Sequence, residues 1–143
     1  MSTPEGYRYR QTLEARFGDT DMFGHVNNAK FLTYMEHARL QYFEDVIGGD
    51  RKAGKESVIL AKVTCTYKKP LFFKDVVDVW VRVVRLGNKS FDQEYQLIRQ
   101  ADGAVVGIGH AVLVAYDYHE GQAIPVPDAW RERVIAYEPA LDG

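Results

Sequence analysis

The apolar positions of this chain change their spacing along the sequence, and these changes predict where helices and strands begin. Loose alternation over residues 7–17 predicts a first β-strand. Over residues 28–46 the apolar side chains instead recur every three to four positions, which is the spacing of an α-helix. Asn27 or Asn28 can cap the start of this helix, and the Gly48-Gly49 pair can end it.

The second half of the chain changes to a period of two, which is typical of β-strands. Four long runs carry this pattern: residues 58–69, 76–86, 90–99 and 104–116. Short connectors that contain Gly, Asn and Asp join the last three runs, which favours antiparallel hairpins. Residues 50–57, ahead of the first run, are polar and are expected to form a linker.

Two of the predicted strands indicate how the sheet meets the helix. In the first run, the apolar side chains of one parity form a single face: Ile59, Ala61, Val63, Cys65 and Tyr67. In the last run, one face carries very small side chains, which let a helix approach closely or let the sheet curve: Gly107, Gly109 and Ala111. A short terminal helix is predicted after Pro125. The pattern predicts an α+β domain in which a five-stranded antiparallel sheet wraps round one long central helix.

Length and charge exclude several classes of protein. At 143 residues, the chain fits a single domain, residues 1–143. Charged residues make up 27% of the chain and the net charge is only -2, so there is no basic field to hold a nucleic acid. The N-terminus does not resemble a signal peptide, and no window approaches the roughly 20 apolar residues of a membrane span. We expect a cytoplasmic protein that binds neither nucleic acid nor membrane.

Cys65 is the only cysteine of the chain, which rules out an internal disulfide bond. It also lacks the partner ligands of a zinc site. We expect Cys65 to be a small buried apolar residue, with a reactive thiol as the alternative. Neither a metal ion nor a cofactor is expected.

The loop over residues 17–28 is where chemistry is expected, because it joins a strand to a capped helix and carries Asp21 and His25. The first N–H groups of a helix have no partner within the helix and attract negative charge. Asp21 adds a base or a nucleophile, so the loop offers the two groups that acyl transfer from a thioester needs. Asp19 is expected to steady the loop as a turn residue.

Three sequence motifs give the chain a family resemblance. The first is Phe17-Gly18-Asp19-Thr20-Asp21 followed by Gly24-His25-Val26-Asn27-Asn28. The second and third are Glu36-His37-Ala38-Arg39 and Tyr67-Lys68-Lys69-Pro70-Leu71. On these motifs, the chain resembles the 4-hydroxybenzoyl-CoA thioesterase family of acyl-CoA thioesterases over nearly its whole length. That family has the hotdog fold, in which a curled sheet surrounds a central helix.

The resemblance implies an active site and an assembly. The second aspartate of an Asp-x-Asp pair is the catalytic carboxylate in this family, and that position is Asp21 here. The N–H that polarises the thioester carbonyl would belong to Asn28. The family acts without a cofactor and forms homodimers whose sheets join, often paired into homotetramers, with acyl-CoA entering between subunits. This chain has Asn27-Asn28 where the 4-hydroxybenzoyl-CoA enzyme has aromatic residues, which resembles the fatty acyl-CoA members and implies medium or long chains and lipid metabolism.

Several of these residues also have ordinary structural explanations. Asp21 can make an Asx-turn within the loop, and Asn27 can serve as a helix cap instead of contacting the thioester. His25 can donate to the substrate, assist a water molecule, or bond a neighbouring carbonyl to hold the loop. Glu36 is expected to pair with Arg39 one turn away. It is also the rival catalytic carboxylate, because another thioesterase branch uses a buried helical glutamate that faces the thioester.

The remaining candidates concern substrate binding. Phe23, Gly24 and Tyr67 are assigned to the acyl site beside Asn27, and Lys89 with Ser90 in a basic hairpin is assigned to coenzyme A. Two other functions fit the same fold. An acyl dehydratase or hydratase would need a histidine and a carboxylate across the reacting bond, and a non-enzymatic acyl-CoA-binding protein would bind without turnover.

Overall fold

The computed structural model describes residues 3–49 and 56–141. Its two α-helices are α1, Asn28–Tyr42, and α2, Asp128–Tyr137. Its strands are β1, Tyr9–Glu14; β2, Glu56–Tyr67; β3, Val76–Leu86; β4, Ser90–Arg99; β5, Val105–Asp117; and β6, Gln122–Ala123. The sheet order is β1-β3-β4-β5-β2, with every pairing antiparallel, and the two-residue β6 is added at the end of β5. The predicted α+β fold, in which a five-stranded antiparallel sheet packs with one long helix, is confirmed.

Helix α1 starts and ends with the residues that the sequence suggests. Asn27 caps it, since its side chain accepts the N–H of Ala29 at 3.0 Å. Beyond Tyr42 the chain continues as a wider, π-helical turn over Phe43–Ile47, and Gly48 then ends the helical segment with a φ of 81°. Glycine adopts this left-handed backbone angle without strain because it has no side chain. Gly48 can therefore end the helix.

The small residues of β5 bring α1 close to the sheet, as predicted. A methyl group placed on Gly109 would collide with the buried side chain of Met35, and one placed on Gly107 would press on the ring of Phe31 at 3.2 Å. Phe31 and Met35 belong to the main hydrophobic core, which lies between α1 and the inner face of the sheet. The two glycines therefore set the distance between α1 and the middle of the sheet.

Strand β2 corrects two sequence-based expectations. A register shift between Leu60 and Lys62 opposite β5 reverses the parity of the strand, so Ile59 and Ala61 do not share a face with Val63 as predicted. The inner face is formed instead by Val58 and Leu60 before the shift and by Val63, Cys65 and Tyr67 after it. Glu56 and Ser57 belong to the strand and not to a linker, and the rest of that predicted linker lies outside the described residues.

Candidate active site

A cleft of about 490 Å³ opens at the N-terminal end of α1. The loop before α1 forms one wall, the first turn of the helix forms the floor, and the end of β2 forms the other wall. The lining residues are Asp21, His25, Val26, Asn27, Asn28, Phe31, Tyr67, Lys68, Lys69 and Pro70. The cleft thus brings together five of the candidate site residues from the sequence: Asp21, His25, Asn27, Asn28 and Tyr67.

Asp21 is held at the cleft by its own loop. Its Oδ1 accepts the N–H of Phe23 at 2.9 Å and that of His25 at 3.3 Å. The backbone closes the same turn, because the Asp21 N–H donates to the His25 carbonyl at 2.8 Å. Gly24 completes the turn with a φ of 82°. Among the described residues, both side-chain bonds use Oδ1, so the loop orients the carboxylate and leaves Oδ2 available to a substrate or a water molecule.

Asp19 has the structural role expected of it. Its side chain is buried, accepts the hydroxyl of Tyr34 at 2.6 Å and accepts the N–H of Arg16 at 3.1 Å. Burial by itself raises the pKa of the Asp19 carboxyl, but the hydrogen bonds from Tyr34 and Arg16 outweigh it, and the pKa lies below its usual range. The Asp19 carbonyl also accepts the N–H of Asn27 at 2.8 Å. Asp19 therefore ties the loop both to α1 and to the core.

The first turn of α1 presents a backbone N–H to the cleft. The Ala29 N–H is capped by the Asn27 side chain, and the Lys30 N–H donates to the Asn27 carbonyl at 2.8 Å. Among the described residues, no acceptor is bonded to the N–H of Asn28. The Tyr67 hydroxyl donates to the Asn28 carbonyl at 3.0 Å and so fixes this turn against β2. The positive end of the helix is held in place with one donor at Asn28 left for a ligand.

Other predicted residues stand at the cleft or beside it. The His25 ring lies at the cleft and packs edge-on against Phe72, with the ring centroids 5.2 Å apart. The Tyr67 ring packs edge-on against Phe31 at 5.1 Å and forms part of the wall. Phe23 is 77% exposed and lies outside the cleft in the single chain. Gly24 also lies outside it, so these two residues contribute through the loop and not through the cleft wall.

The hairpin with Lys89 and Ser90 is not brought to the cleft within one chain. Ser90 pairs with Val114 of β5, whereas the cleft residue Tyr67 pairs with Gly107. Seven residues of β5 separate these two points, or roughly 23 Å along a strand. Two cations, Lys68 and Lys69, lie in the cleft wall instead. The sequence alone indicated no binding role for them, although this dibasic pair directly follows Tyr67.

The groups that line the cleft fit one kind of chemistry. A carboxylate held by a turn and a free helix N–H both open onto it, and together they can supply a base or nucleophile and a donor for an oxyanion.

In residues 3–49 and 56–141, no group of three or more His, Cys, Asp and Glu side chains is placed to hold a metal ion. Over the same residues, no helix is both long and apolar enough to cross a membrane.

Comparison with known proteins finds similar chains both by sequence and by structure. Residues 15–134 match the thioesterase-like superfamily. A thioesterase from Thermus thermophilus, solved in complex with coenzyme A and Zn, is 36% identical, and the match covers 94% of this chain and 97% of that one with a TM-score of 0.83. A thioesterase superfamily structure from a Jannaschia species is 25% identical, covers 98% of this chain and 89% of that one, and has a TM-score of 0.89.

A curated relative has a named substrate class. The long-chain acyl-CoA thioesterase FadM of Escherichia coli is 23% identical over 123 residues, which are 85% of this chain and 93% of that protein. The similarity therefore extends over nearly the full length of proteins that are known as thioesterases.

Proposed function

Because this chain belongs to the thioesterase-like superfamily, we propose that it hydrolyses fatty acyl-CoA thioesters with Asp21 as the reacting carboxylate. The chain is a hydrolase of the thioesterase class, and activity on CoA thioesters follows from its family and its neighbours. The observation that carries the proposal for Asp21 is the cleft itself, where a carboxylate and the free N–H of Asn28 face the same space.

Two chemical routes use the same carboxylate. In the first, Asp21 attacks the thioester carbonyl, the C–S bond breaks, and water then hydrolyses the mixed anhydride. In the second, Asp21 removes a proton from a water molecule, which attacks the carbonyl directly. In both routes, the negative charge that develops on the carbonyl oxygen is met by the N–H of Asn28, and coenzyme A leaves as a thiolate that takes up a proton. Incorporation of labelled oxygen into Asp21 in a single turnover identifies the first route.

The other cleft residues support this assignment. Within residues 3–49 and 56–141, the contacts of His25 are backbone hydrogen bonds and the ring contact with Phe72, which leaves its imidazole to donate to the substrate or to water. Lys68 and Lys69 add positive charge where the phosphates of coenzyme A would pass. Asn27 is primarily the cap of α1, and it contacts the substrate only through its side-chain N–H₂.

Lys89 and Ser90 can contribute only from a second subunit, because they lie at the far end of β5 in the same chain. We therefore include a homodimer, or a homotetramer built from dimers, in the proposed function. Phe23, which is 77% exposed in the single chain, is included in the proposed acyl site on the same condition. The assembly would add the charge of the Lys89 hairpin to a cleft whose own wall already carries Lys68 and Lys69.

The test is thiol release from acetyl-, octanoyl-, tetradecanoyl- and benzoyl-CoA by the native protein and by Asp21→Asn. The amide keeps the Oδ1 acceptor that holds the loop, so the variant should fold and lose about 10²-fold or more in kcat. Asp128→Asn, at an exposed position of α2, is the matched control for removal of one carboxylate and should keep full turnover.

Each other result has a clear meaning. Turnover that survives Asp21→Asn would move the chemistry to Glu36 or His25 and would contradict the proposal. Binding of every acyl-CoA without turnover by the native protein would instead identify an acyl-CoA-binding protein.

A further inference from the structure

A second, smaller recess lies beside the cleft. It has a volume of about 180 Å³ and is lined by Leu32, Thr33, Glu36, Arg39, Leu60 and Val63. Leu32 and Leu60 are 36% and 42% exposed, so apolar surface is open to solvent on both walls. The described residues leave this apolar surface uncovered, which is the kind of surface that binds an apolar ligand.

The recess continues the cleft along the same two elements. On α1, Asn28, Leu32 and Glu36 follow each other at four-residue spacing and therefore lie on one face of the helix. On the inner face of β2, Tyr67 borders the cleft, Cys65 follows, and Val63 borders the recess. An acyl chain whose carbonyl is bound at the Asn28 N–H would therefore reach the recess if it extended along α1 and β2.

The irregularity in β2 shapes the far part of the recess. Because the register shifts between Leu60 and Lys62, Leu60 and Val63 both face inward, although they are three residues apart. A regular strand would turn one of them outward. The shift therefore adds an apolar side chain to the recess wall.

The recess ends at a pair of charges, of which Arg39 is buried and Glu36 has a side chain that is 61% exposed. Arg39 is 6% exposed, and its guanidinium lies 4.0 Å from the carboxylate of Glu36. The same guanidinium donates to the hydroxyl of Tyr95 at 3.3 Å, and that hydroxyl donates to Gln93 at 2.7 Å. Tyr95 and Gln93 are fully buried, so Arg39 is anchored in the core and cannot swing aside for a ligand.

We propose that this recess holds the acyl chain and that the Glu36–Arg39 pair ends it, which makes medium-chain acyl-CoA thioesters the preferred substrates. This inference rests on the proposed thioesterase function. Glu36 lies about 12 Å beyond Asn28, at a rise of 1.5 Å per residue. A zigzag carbon chain advances about 1.25 Å per carbon, so about eight to ten carbons fill that length. Longer chains would have to remove water from the ion pair without replacing its hydrogen bonds, which is unfavourable.

The main experiment measures kcat/KM for hexanoyl-, decanoyl- and tetradecanoyl-CoA with the native protein, Glu36→Leu and Glu36→Gln. Each buried methylene contributes about fourfold to binding, so kcat/KM of the native protein should rise from hexanoyl to decanoyl-CoA and fall for tetradecanoyl-CoA. In Glu36→Leu the ratio of tetradecanoyl to hexanoyl kcat/KM should rise at least tenfold, and in Glu36→Gln it should rise less. Glu132→Leu, an exposed position on α2, is the matched control and should leave the ratio unchanged.

Cys65 gives a readout that does not depend on turnover. It is the only cysteine of the chain and lies on β2 between the cleft and the recess. Burial raises the pKa of its thiol, so alkylation by N-ethylmaleimide is followed at mildly alkaline pH. The S-decyl thioether of coenzyme A, which cannot be hydrolysed, should slow this alkylation at least fivefold, whereas the S-ethyl thioether should not.

Three results would overturn the inference while leaving the thioesterase assignment intact. One is a chain-length profile that Glu36→Leu does not change. Another is equal protection of Cys65 by the S-ethyl and S-decyl thioethers. The third is an equal loss of turnover on hexanoyl- and tetradecanoyl-CoA in both Glu36 variants, which would identify Glu36 as the reacting carboxylate. Failure of the thioesterase function itself would appear as the absence of turnover in the native protein.

Discussion

At the scale of single residues, two aspartates two positions apart have opposite environments. Asp19 is buried and bonded to Tyr34, whereas Asp21 is exposed at the cleft and, in the part of the chain that the structure describes, is bonded only by its own loop. The Asp-x-Asp pair predicts that Asp19 steadies the loop, but the sequence does not show that Asp19 is the buried member of the pair. That distinction depends on Tyr34, fifteen residues later on α1, whose position is known only once the helix packs on the loop.

Tyr34→Phe tests the structural role of Asp19. A buried hydrogen bond to a charged group contributes about 1.5–3 kcal/mol, so the variant should lose that much free energy of unfolding at pH 7. Because the folded-state pKa of Asp19 lies below its unfolded value of 3.8, this contribution is present above pH 3.8 and is lost as the pH falls through the folded pKa. The cost of the substitution should therefore shrink at acid pH.

Urea unfolding of both proteins at pH 7 and at the lowest pH where both remain folded measures the difference. Tyr118→Phe, at a tyrosine that is 51% exposed, is the control and should change stability by less than about 0.5 kcal/mol. A cost for Tyr34→Phe that stays the same at both pH values would contradict the assignment.

At the scale of elements, most of the fold could be predicted because hydrophobic periodicity depends on neighbouring residues alone. The bounds of β3 and β4 agree with the predicted runs, and the α1 start and the glycine stop also agree. The register shift in β2 could not be predicted, because Leu60 and Ala61 fit a regular strand equally well. Only pairing with β5 shows where the extra residue is placed.

Gly109→Val tests the close packing of α1 on β5. A side chain at this position would collide with the methyl end of Met35, which is fully buried and would have to shift within the core. Overpacking of this kind costs about 1–3 kcal/mol, so we expect a loss of that size in the free energy of unfolding, measured by urea denaturation. Ile108→Val lies on the opposite, exposed face of the same strand and should have little effect. Equal stability of the two variants would show that α1 does not depend on the glycine.

At the scale of the whole molecule, the cleft and the basic hairpin lie at opposite ends of β5, and this is the part of the site that the sequence could not place. Strand β2 also forms one border of the sheet along its twelve residues. Long edge strands tend to pair with another chain. Pairing in a symmetric dimer would bring the hairpin of one subunit towards the cleft of the other, which is the arrangement that the assignment of Lys89 and Ser90 to coenzyme A needs.

Mixing two impaired variants tests this shared site directly. Asp21→Asn should lack turnover, and Lys89→Glu should have a reduced kcat/KM because its hairpin no longer attracts the coenzyme phosphates. If each site takes Asp21 from one subunit and Lys89 from the other, a mixed dimer contains one fully native site, so an exchanged mixture should regain about a quarter of native activity. Thiol release after subunit exchange, with sedimentation velocity to establish that dimers are present, measures the recovery. A mixture no more active than the sum of its components would show that each subunit holds a complete site and that Lys89 acts, if at all, within its own chain.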